Sequence, residues 1–386
     1  MACVPRLFPP HFRVLRIRAG GPGSLPLWFL AVAMNLAPPL EAEEDLQARD
    51  DSRRRNRVVF FSQSPRNPAP AQVSIEYGAK NPPGPVQDLA AQGARGDRVH
   101  LGNEDWTTLD TNVELKASKK TKVKPGLYAL ALERGREDEF WMVLLPMDQV
   151  RSKALDPGQP DPVAGEVKIA LERSELDFDA DSIRFGMGRD KRVNDLIHVT
   201  VYAGRTSYAA DFEVEGTGGG SPMPSLEGRH RSSLVVSEQE RSRLIASVEH
   251  GQPPWKSEYE ERLEAFKKGD RWRLGQNFWT TLEVASELKL GGRKLRPGHY
   301  YLGLEALGKG ALGLSILDPE KMRKGSMDPF LIDQARPSEI VPLKAEPLDE
   351  SAEELDIRFV VDENAEKNAR LVIRFGPHRL EAEAVL

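Results

Sequence analysis

The feature that most limits how this chain can fold is a stretch of sequence that occurs twice. GDRVHLGNEDWTTLDTNVELK, from Gly96 to Lys116, recurs as GDRWRLGQNFWTTLEVASELK, from Gly269 to Lys289. Over the first 14 positions of the two stretches nine residues are identical, which unrelated sequences would not show. The repeat therefore predicts two copies of one structural unit.

The similarity extends on both sides of the repeated stretch. Upstream, SIEYG from Ser74 matches SVEHG from Ser247, and downstream, KPGLYALALE from Lys124 matches RPGHYYLGLE from Arg296. GTGGGSPMPSLEGRHRSS, between the copies, has the Gly, Pro and Ser content of a flexible linker. We therefore predict a polar linker over 43–57, a first β domain over 58–215, a second linker over 216–233 and a second β domain over 234–386.

The apolar residues within each copy recur with the period of a β-strand. Apolar and polar residues alternate from Leu109 to Leu115 and again from Leu282 to Leu288. A Pro-Gly turn and a second alternating run follow in both copies, which predicts a hairpin. With about seven short strands in each copy and no regular alternation with helices, we predict an all-β protein, mainly an antiparallel sandwich or barrel.

One helix is predicted, in the second copy. In PPWKSEYEERLEAFKKG the residues Trp255, Tyr259, Leu263 and Phe266 fall on one helical face. The first copy has PPGPVQDLAAQG at this place. We therefore expect the helix to be shortened or replaced there.

The first 42 residues have the layout of a secretory signal peptide. Four arginines precede the apolar run LPLWFLAVAMNLA, and PPLEA ends on Ala42. A buried helix of the mature fold is the alternative. The lone cysteine, Cys3, lies in this segment. We expect an exported protein, whether periplasmic, envelope-associated or secreted, with no transmembrane segment in the mature chain.

The charge balance argues against a nucleic-acid partner. Without residues 1–42 the chain has 50 Lys plus Arg against 58 Asp plus Glu, a net charge of about −8. The one basic cluster, RRRNR from Arg53 to Arg57, is interpreted as a solvated part of the first linker.

The stretch from Trp272 to Leu302 resembles the signature of a family of exported bacterial proteins, the domain of unknown function number 2911. The positions that carry the resemblance are Trp272, Arg273, Gly275, Asn277, Thr280, Thr281, Gly298 and Tyr300. Phe278 stands where the family has a glutamate, and the first copy has Val99 and His100 for the Trp-Arg pair. The resemblance implies an exported domain and places any polar site of the family in the second copy, but it implies no reaction.

Two sets of residues in the repeat are candidates for function or for structure. The binding candidates are Trp272, Arg273, Asn277, Thr280 and Thr281. The repeated structural positions are Asp97, Arg98, Gly102, Trp106, Thr107, Thr108, Gly126, Tyr128, Asp270, Arg271, Gly275, Trp279, Gly298 and Tyr300. We favour a structural interpretation in which Asp-Arg holds a turn, the threonines favour the strand, and Trp106 and Trp279 are buried anchors.

No catalytic or metal-binding motif is found in the sequence. The histidines after residue 42 show no HxH or HExxH spacing, and no GxSxG or P-loop is present. We predict no metal and no cofactor. The favoured function is a non-enzymatic, envelope-associated binding or interaction module whose partner is an unknown ligand or envelope protein. The alternatives are a hydrolase acting on a cell-wall or environmental polymer and a purely structural protein.

Overall fold

The computed structural model of the chain describes residues 45–60, 70–102, 105–190, 193, 195–215, 222–238, 241–325, 327–362 and 368–386. The predicted signal peptide at 1–42, with Cys3, lies outside these residues. The structure is about 61% strand and 11% helix, and the strands pair antiparallel. The predicted all-β class is confirmed.

The strands and helices of the first half come in the following order. They are β1 (Asp45–Phe60), β2 (Ala71–Gly78), α1 (Gly84–Gln92), β3 (Arg98–His100), β4 (Thr108–Thr111), β5 (Leu115–Lys116), β6 (Lys122–Val123), β7 (Gly126–Arg134), β8 (Phe140–Pro146), α2 (Met147–Ser152), β9 (Val167–Arg189) and β10 (Leu196–Val214).

The second half continues with a matching series and ends in a long ribbon. Its elements are β11 (Pro222–Glu238), β12 (Arg241–His250), α3 (Glu258–Glu264), β13 (Arg271–Arg273), β14 (Thr280–Val284), β15 (Leu288–Leu290), β16 (Arg293–Leu295), β17 (Gly298–Gly308), β18 (Ala311–Leu317), α4 (Pro319–Lys324), the 3-10 helix η1 (Pro329–Gln334), β19 (Glu339–Pro342), β20 (Lys344–Val361) and β21 (Asn368–Val385).

The centre of the fold is a long ladder between β1 and β11. The two strands pair antiparallel along their whole length, from Asp45 opposite Ser237 to Phe60 opposite Pro222. β1 also pairs with β2, and β11 also pairs with β12. The ladder therefore joins the strands of the first half to those of the second.

This ladder corrects both predicted linkers. The segment 43–57 was expected to be a polar linker, but residues 45–57 lie in β1, and residues 222–233 of the second expected linker lie in β11. Both strands contain charged residues, and from composition alone such residues are expected to be exposed to solvent. Arg53 is only 2% exposed and Arg55 only 5%, because these charges pair with acids inside the fold. Residues 216–221 lie outside the described residues.

The pairing order is the same on the two sides of the ladder. Outward from β1 it runs β2, β4, β7, β8 and β9. Outward from β11 it runs β12, β14, β17, β18 and β19. The short strand that opens the repeated motif, β3 or β13, pairs with β7 or β17. The two stretches of similar sequence thus take part in equivalent hairpins.

Each half has an apolar core between its sheet and its long ribbon. In the first half Leu130 of the sheet and Val199 of the β9–β10 ribbon belong to one buried cluster. In the second half Leu302 of the sheet and Ile357 of the β20–β21 ribbon belong to another. β1 contributes to both clusters, because Val58 lies in the first and Leu46 in the second.

The expectation that the helix is shortened or replaced in the first half is wrong. α1 has nine residues and α3 only seven. Pro83 caps α1, and Gly84 and Pro85 are its first two residues. Proline is tolerated at a helix start because the first N–H groups need no partner within the helix. Val86 and Leu89 of α1 are buried in the first core, whereas no residue of α3 is buried.

The ladder predicts that the two halves stay together when the chain is divided. Fragments 43–215 and 222–386, produced together, should co-purify as a one-to-one complex, since β1 supplies buried residues to both cores. Size-exclusion chromatography with light scattering measures this. Leu46→Glu should weaken the complex by placing a charge in the second core. Two folded fragments that elute separately would contradict the assignment of β1 to both halves.

Candidate functional site

The Asp-Arg pair of each repeated stretch holds a turn. Asp97 and Asp270 each accept a hydrogen bond from a backbone N–H three residues earlier, at 2.6 and 2.8 Å. The glycine before each aspartate has a positive φ, +90° and +94°, which a side chain would strain. The arginine after each aspartate pairs with a glutamate of the neighbouring strand, and the pairs are Arg98–Glu133 and Arg271–Glu305.

The first threonine and the tyrosine of the repeat make internal bonds in both halves. The hydroxyls of Thr107 and Thr280 donate to the carbonyls of Leu101 and Leu274, at 2.6 and 2.9 Å. Tyr128 and Tyr300 donate to a carbonyl four residues earlier, at 2.9 and 2.8 Å. Next to each of these tyrosines, a Cβ on Gly126 or Gly298 would meet the tyrosine ring. These residues are occupied in holding the hairpins.

The two repeated tryptophans differ in burial. Trp279 is 2% exposed, and its ring stacks on that of Tyr301, with 5.0 Å between the centroids and 3° between the planes. Trp106 is only partly buried. Ala129 occupies the position of Tyr301 in the first half and offers no ring. The structure therefore provides a full anchor in the second half alone.

Truncation of the two tryptophans should reveal this difference. Trp279→Ala is expected to lower the free energy of unfolding by about 3–5 kcal/mol, as for a buried large aromatic residue. Trp106→Ala should lower it clearly less, because part of that ring already contacts water. Chemical denaturation of the full chain measures both values. Equal losses would contradict the unequal packing.

A cluster of charged side chains is buried where the central ladder meets β2 and β12. Arg53, Arg55 and Arg229 face Glu76 and Glu249, and all five are buried. Arg53 Nε lies 3.3 Å from Glu76 Oε1, Arg55 Nη2 lies 3.1 Å from Glu249 Oε1, and Arg229 Nε lies 2.5 Å from the same oxygen. Arg55 also pairs with Glu76. The cluster contains charges from both halves.

The arginines stabilise the ionised form of Glu76. Burial by itself would raise the pKa of this carboxyl, but Arg55, Arg53 and Arg229 outweigh burial and lower the pKa to about 2.

The stability of the chain should therefore depend on pH through Glu76. Its contribution is present in full above pH 4.5, its ordinary pKa, and is lost as the pH falls towards 2. Glu76→Gln should cost about 3–5 kcal/mol at neutral pH, because it leaves buried arginines without their partner. It should also reduce the loss of stability between pH 4.5 and 2. The exposed Glu350→Gln is the control, and denaturation across this range is the measurement. An unchanged pH profile in Glu76→Gln would contradict this role.

Each half also sends one helical arginine to the other half. Arg151 of α2 pairs with Glu283 of β14 at 3.3 Å, and Arg323 of α4 pairs with Asp110 of β4 at 2.9 Å. Asp110 and Glu283 hold the same position in the repeated stretch, four residues after the tryptophan. Asp110 also accepts a hydrogen bond from Tyr301 at 3.0 Å. These exchanged pairs add contacts between the two halves beside the buried charge cluster.

The remaining repeated threonines lie at this junction. Thr108 and Thr281 line a small polar gap of about 30 Å³ between the halves, beside Glu76 and Glu249. Thr281 is thus separated from the other predicted binding residues.

The second half contains a cavity of about 950 Å³. Its walls are the sheet around β13 and the β20–β21 ribbon, and α3 and η1 cover it. The aromatic residues that line it are Tyr259, Phe266, Trp272, Phe330, Phe375 and His378. Three predicted binding residues, Trp272, Arg273 and Asn277, also line it, and so does Gly275. The structure therefore brings these residues together. The hydroxyl of Thr280, in contrast, already donates its hydrogen bond to the Leu274 carbonyl.

The loss of two aromatic side chains explains why the space is open in this half. In the first half Phe140 and Tyr208 are fully buried and contact each other, with 5.0 Å between ring centroids. Phe140 is the residue opposite Arg134 in the β7–β8 hairpin, and Tyr208 follows the positive-φ residue Gly204 by four positions. Leu312 and Leu380 hold these positions in the second half, and both line the cavity.

The helices next to the two cores also differ in how they pack. α1 inserts Val86 and Leu89 into the first core. α3 has no buried residue, and its Tyr259 and Leu263 line the cavity, with Leu263 partly buried against the second core. Trp255 holds the start of the α3 segment against the ribbon, where a Cβ on Gly376 would lie 2.3 Å from its ring. The covering segment is therefore attached at its edge.

The polar groups at the cavity are of several kinds. The guanidinium of Arg262 lies over the Trp272 ring, 4.8 Å from its centroid, and that of Arg273 lies 3.8 Å from the centroid of Phe330. His378 Nε2 lies 2.9 Å from Glu260 Oε2. The site combines aromatic walls with guanidinium groups, an arrangement suited to binding an organic molecule.

A group of possible metal ligands lies elsewhere, under the central ladder. One atom each of His230, His250 and Asp356 falls within 4.8 Å of the others. However, His250 Nδ1 lies 3.1 Å from a backbone carbonyl and Nε2 lies 3.1 Å from a backbone N–H. Burial lowers the pKa of His250 to about 3, and Arg358 holds Asp356. Two of the three groups are therefore occupied by bonds within the protein.

Sequence reasoning missed the buried charges and most of the cavity. It did not single out Phe330 or Phe375, and it assigned Tyr259 and Phe266 only to one face of a helix. A comparison of the two copies contained the signal, because Phe140 and Tyr208 are replaced by smaller residues in the second copy.

Among the described residues, no helix is long and apolar enough to cross a membrane.

Comparisons with family models, with curated proteins and with solved structures found no match.

Proposed function

We propose that this chain is an exported binding protein that arose by duplication of one β domain, and that its second half holds a small, mostly apolar organic molecule. The cavity beneath α3 carries the proposal. Its volume of about 950 Å³ lies at the upper end of the range of small-molecule sites. Aromatic and aliphatic side chains form most of the wall. This is the composition of a site that gains affinity from apolar contact.

The difference between the halves supports binding in the second half alone. A domain that had only to fold would gain from the packing that Phe140 and Tyr208 provide in the first core, since buried voids lose dispersion contacts. The second half lacks this packing at two positions, Leu312 and Leu380, which line the same cavity. Retention of such a space is expected where a ligand fills it.

The first half and the central ladder would then act as support. The buried arginine–glutamate cluster and the exchanged arginine pairs fix the sheet that forms one cavity wall. Duplication accounts for the repeated sequence and for the equal order of strand pairing. The divergence of the copies accounts for one open and one filled core.

Export is proposed from the sequence. The layout of residues 1–42 is that of a signal peptide, and the stretch from Trp272 to Leu302 resembles a family of exported bacterial proteins. Membership of that family is part of the proposal. The ligand would be met in the periplasm, at the envelope or outside the cell.

Filling the cavity tests the proposal. N-phenyl-1-naphthylamine, a neutral probe that fluoresces more strongly in apolar surroundings, should bind the chain at one saturable site. The double variant Leu312→Phe/Leu380→Tyr, which installs the residues of the first half, should abolish this binding and should not lower the unfolding midpoint.

The control places the same ring outside the cavity. Leu226 is 59% exposed on β11, so Leu226→Phe should leave probe binding unchanged. If the double variant folds and still binds the probe as the wild type does, the cavity is not the binding site and the proposal is wrong.

A further inference from the structure

The cavity carries more positive than negative charge. The positively charged residues of its wall are Lys256, Arg262, Arg271 and Arg273, and the negatively charged ones are Asp270 and Asp333. The chain as a whole has a net charge of −5. The local sign is therefore opposite to that of the protein, which favours a negatively charged ligand.

Several of these charges already have partners within the protein. Arg271 pairs with Glu305 at 2.7 Å, and Asp270 accepts the N–H of Lys267. Lys256 lies 3.7 Å from Glu258. These groups serve the fold and leave other cations to face the cavity.

Arg273 has an unsatisfied donor. Its Nη1 is buried and has no hydrogen-bond partner among the described residues. Asp328 acts on Arg273 at longer range and itself accepts the N–H of Phe330. Arg273 is part of the cavity wall, and a carboxylate or sulfonate oxygen in the cavity would pair with its guanidinium. The first half has no such cation, because His100 holds this position and burial lowers the pKa of His100.

The walls near Arg273 are rings. Phe330 covers the guanidinium, and Trp272, the preceding residue, is contacted edge-on by Tyr259 and Phe266, with 5.1 and 6.0 Å between ring centroids. A further aromatic ring can pack against such rings, either offset-stacked or edge-to-face. The body of the ligand should therefore be aromatic or polycyclic.

We infer that the cavity binds a ring-containing organic anion, whose carboxylate or sulfonate pairs with the guanidinium of Arg273 while its rings pack among Tyr259, Trp272 and Phe330. This inference rests on the proposed function and adds the chemical class of the ligand. Arg273 is the residue that selects for the acidic group. The aromatic wall selects for the rings.

Two probes that differ by one sulfonate test this class. 1-Anilinonaphthalene-8-sulfonate has the ring system of N-phenyl-1-naphthylamine with an added anionic group. The wild-type chain should bind the sulfonate at least about tenfold more tightly than the neutral probe, the difference that one charge-assisted hydrogen bond supplies. Arg273→Met, which retains an unbranched apolar side chain, should remove this preference and leave the neutral probe unaffected.

The controls separate the possible outcomes. Arg293→Met changes the same charge at an exposed site outside the cavity and should leave both affinities unchanged. Equal binding of the two probes, with no effect of Arg273→Met, would overturn the inference while the proposed function stands. A straight-chain fatty acid that displaces the sulfonate better than 2-naphthoate does would overturn the assignment of a ring-containing body. Failure of both probes to bind the wild type would instead remove the proposed function.

Discussion

The antiparallel ladder between β1 and β11, with charged side chains buried across it, is the interaction on which the rest of the structure depends. It gives one hydrogen-bonded order of strands across both halves, and β1 places Val58 in one core and Leu46 in the other. Buried charges are expensive unless every member is paired. Glu76 and Glu249 meet this condition because arginines of β1 and β11 surround them. Loss of one member would leave the others unpaired at the centre of the fold.

Much of the fold could be predicted from local patterns, and the centre could not. The alternation after Trp106 and Trp279 correctly indicated paired strands, because alternation acts over a few residues. The Pro-Gly pairs do not form the predicted turns, since Gly126 and Gly298 are the first residues of β7 and β17 and have no positive φ. β1 and β11 were interpreted as linkers because Arg53 to Arg57 and the Gly-, Pro- and Ser-containing segment look solvated. Their burial depends on acids supplied by β2 and β12, which no local pattern reveals. The helix α1 was expected to be shortened or replaced because PPGPVQDLAAQG differs from the helical segment of the second copy.

The candidate site was predictable only in part. Trp272, Arg273 and Asn277 were selected from the repeat and its family resemblance, and they line the cavity. Thr280 and Thr281 were selected on the same grounds, yet one bonds within the hairpin and the other lies at the junction between the halves. Alternation along one strand does not say what lies across the core. Leu312 and Leu380, which line the cavity, are far apart in sequence. Nothing in the local pattern shows that these two positions face one space.

One measurement tests the central claim, that the second half binds an organic anion in a space that the first half has filled. In ¹⁵N NMR spectra the indole N–H groups of the tryptophans report on separate places, Trp272 in the cavity wall and Trp106 and Trp141 in the first half. On titration with 1-anilinonaphthalene-8-sulfonate, the Trp272 signal should shift to saturation while those of Trp106 and Trp141 stay in place. A shift at Trp106 or Trp141 with Trp272 unmoved would contradict the account.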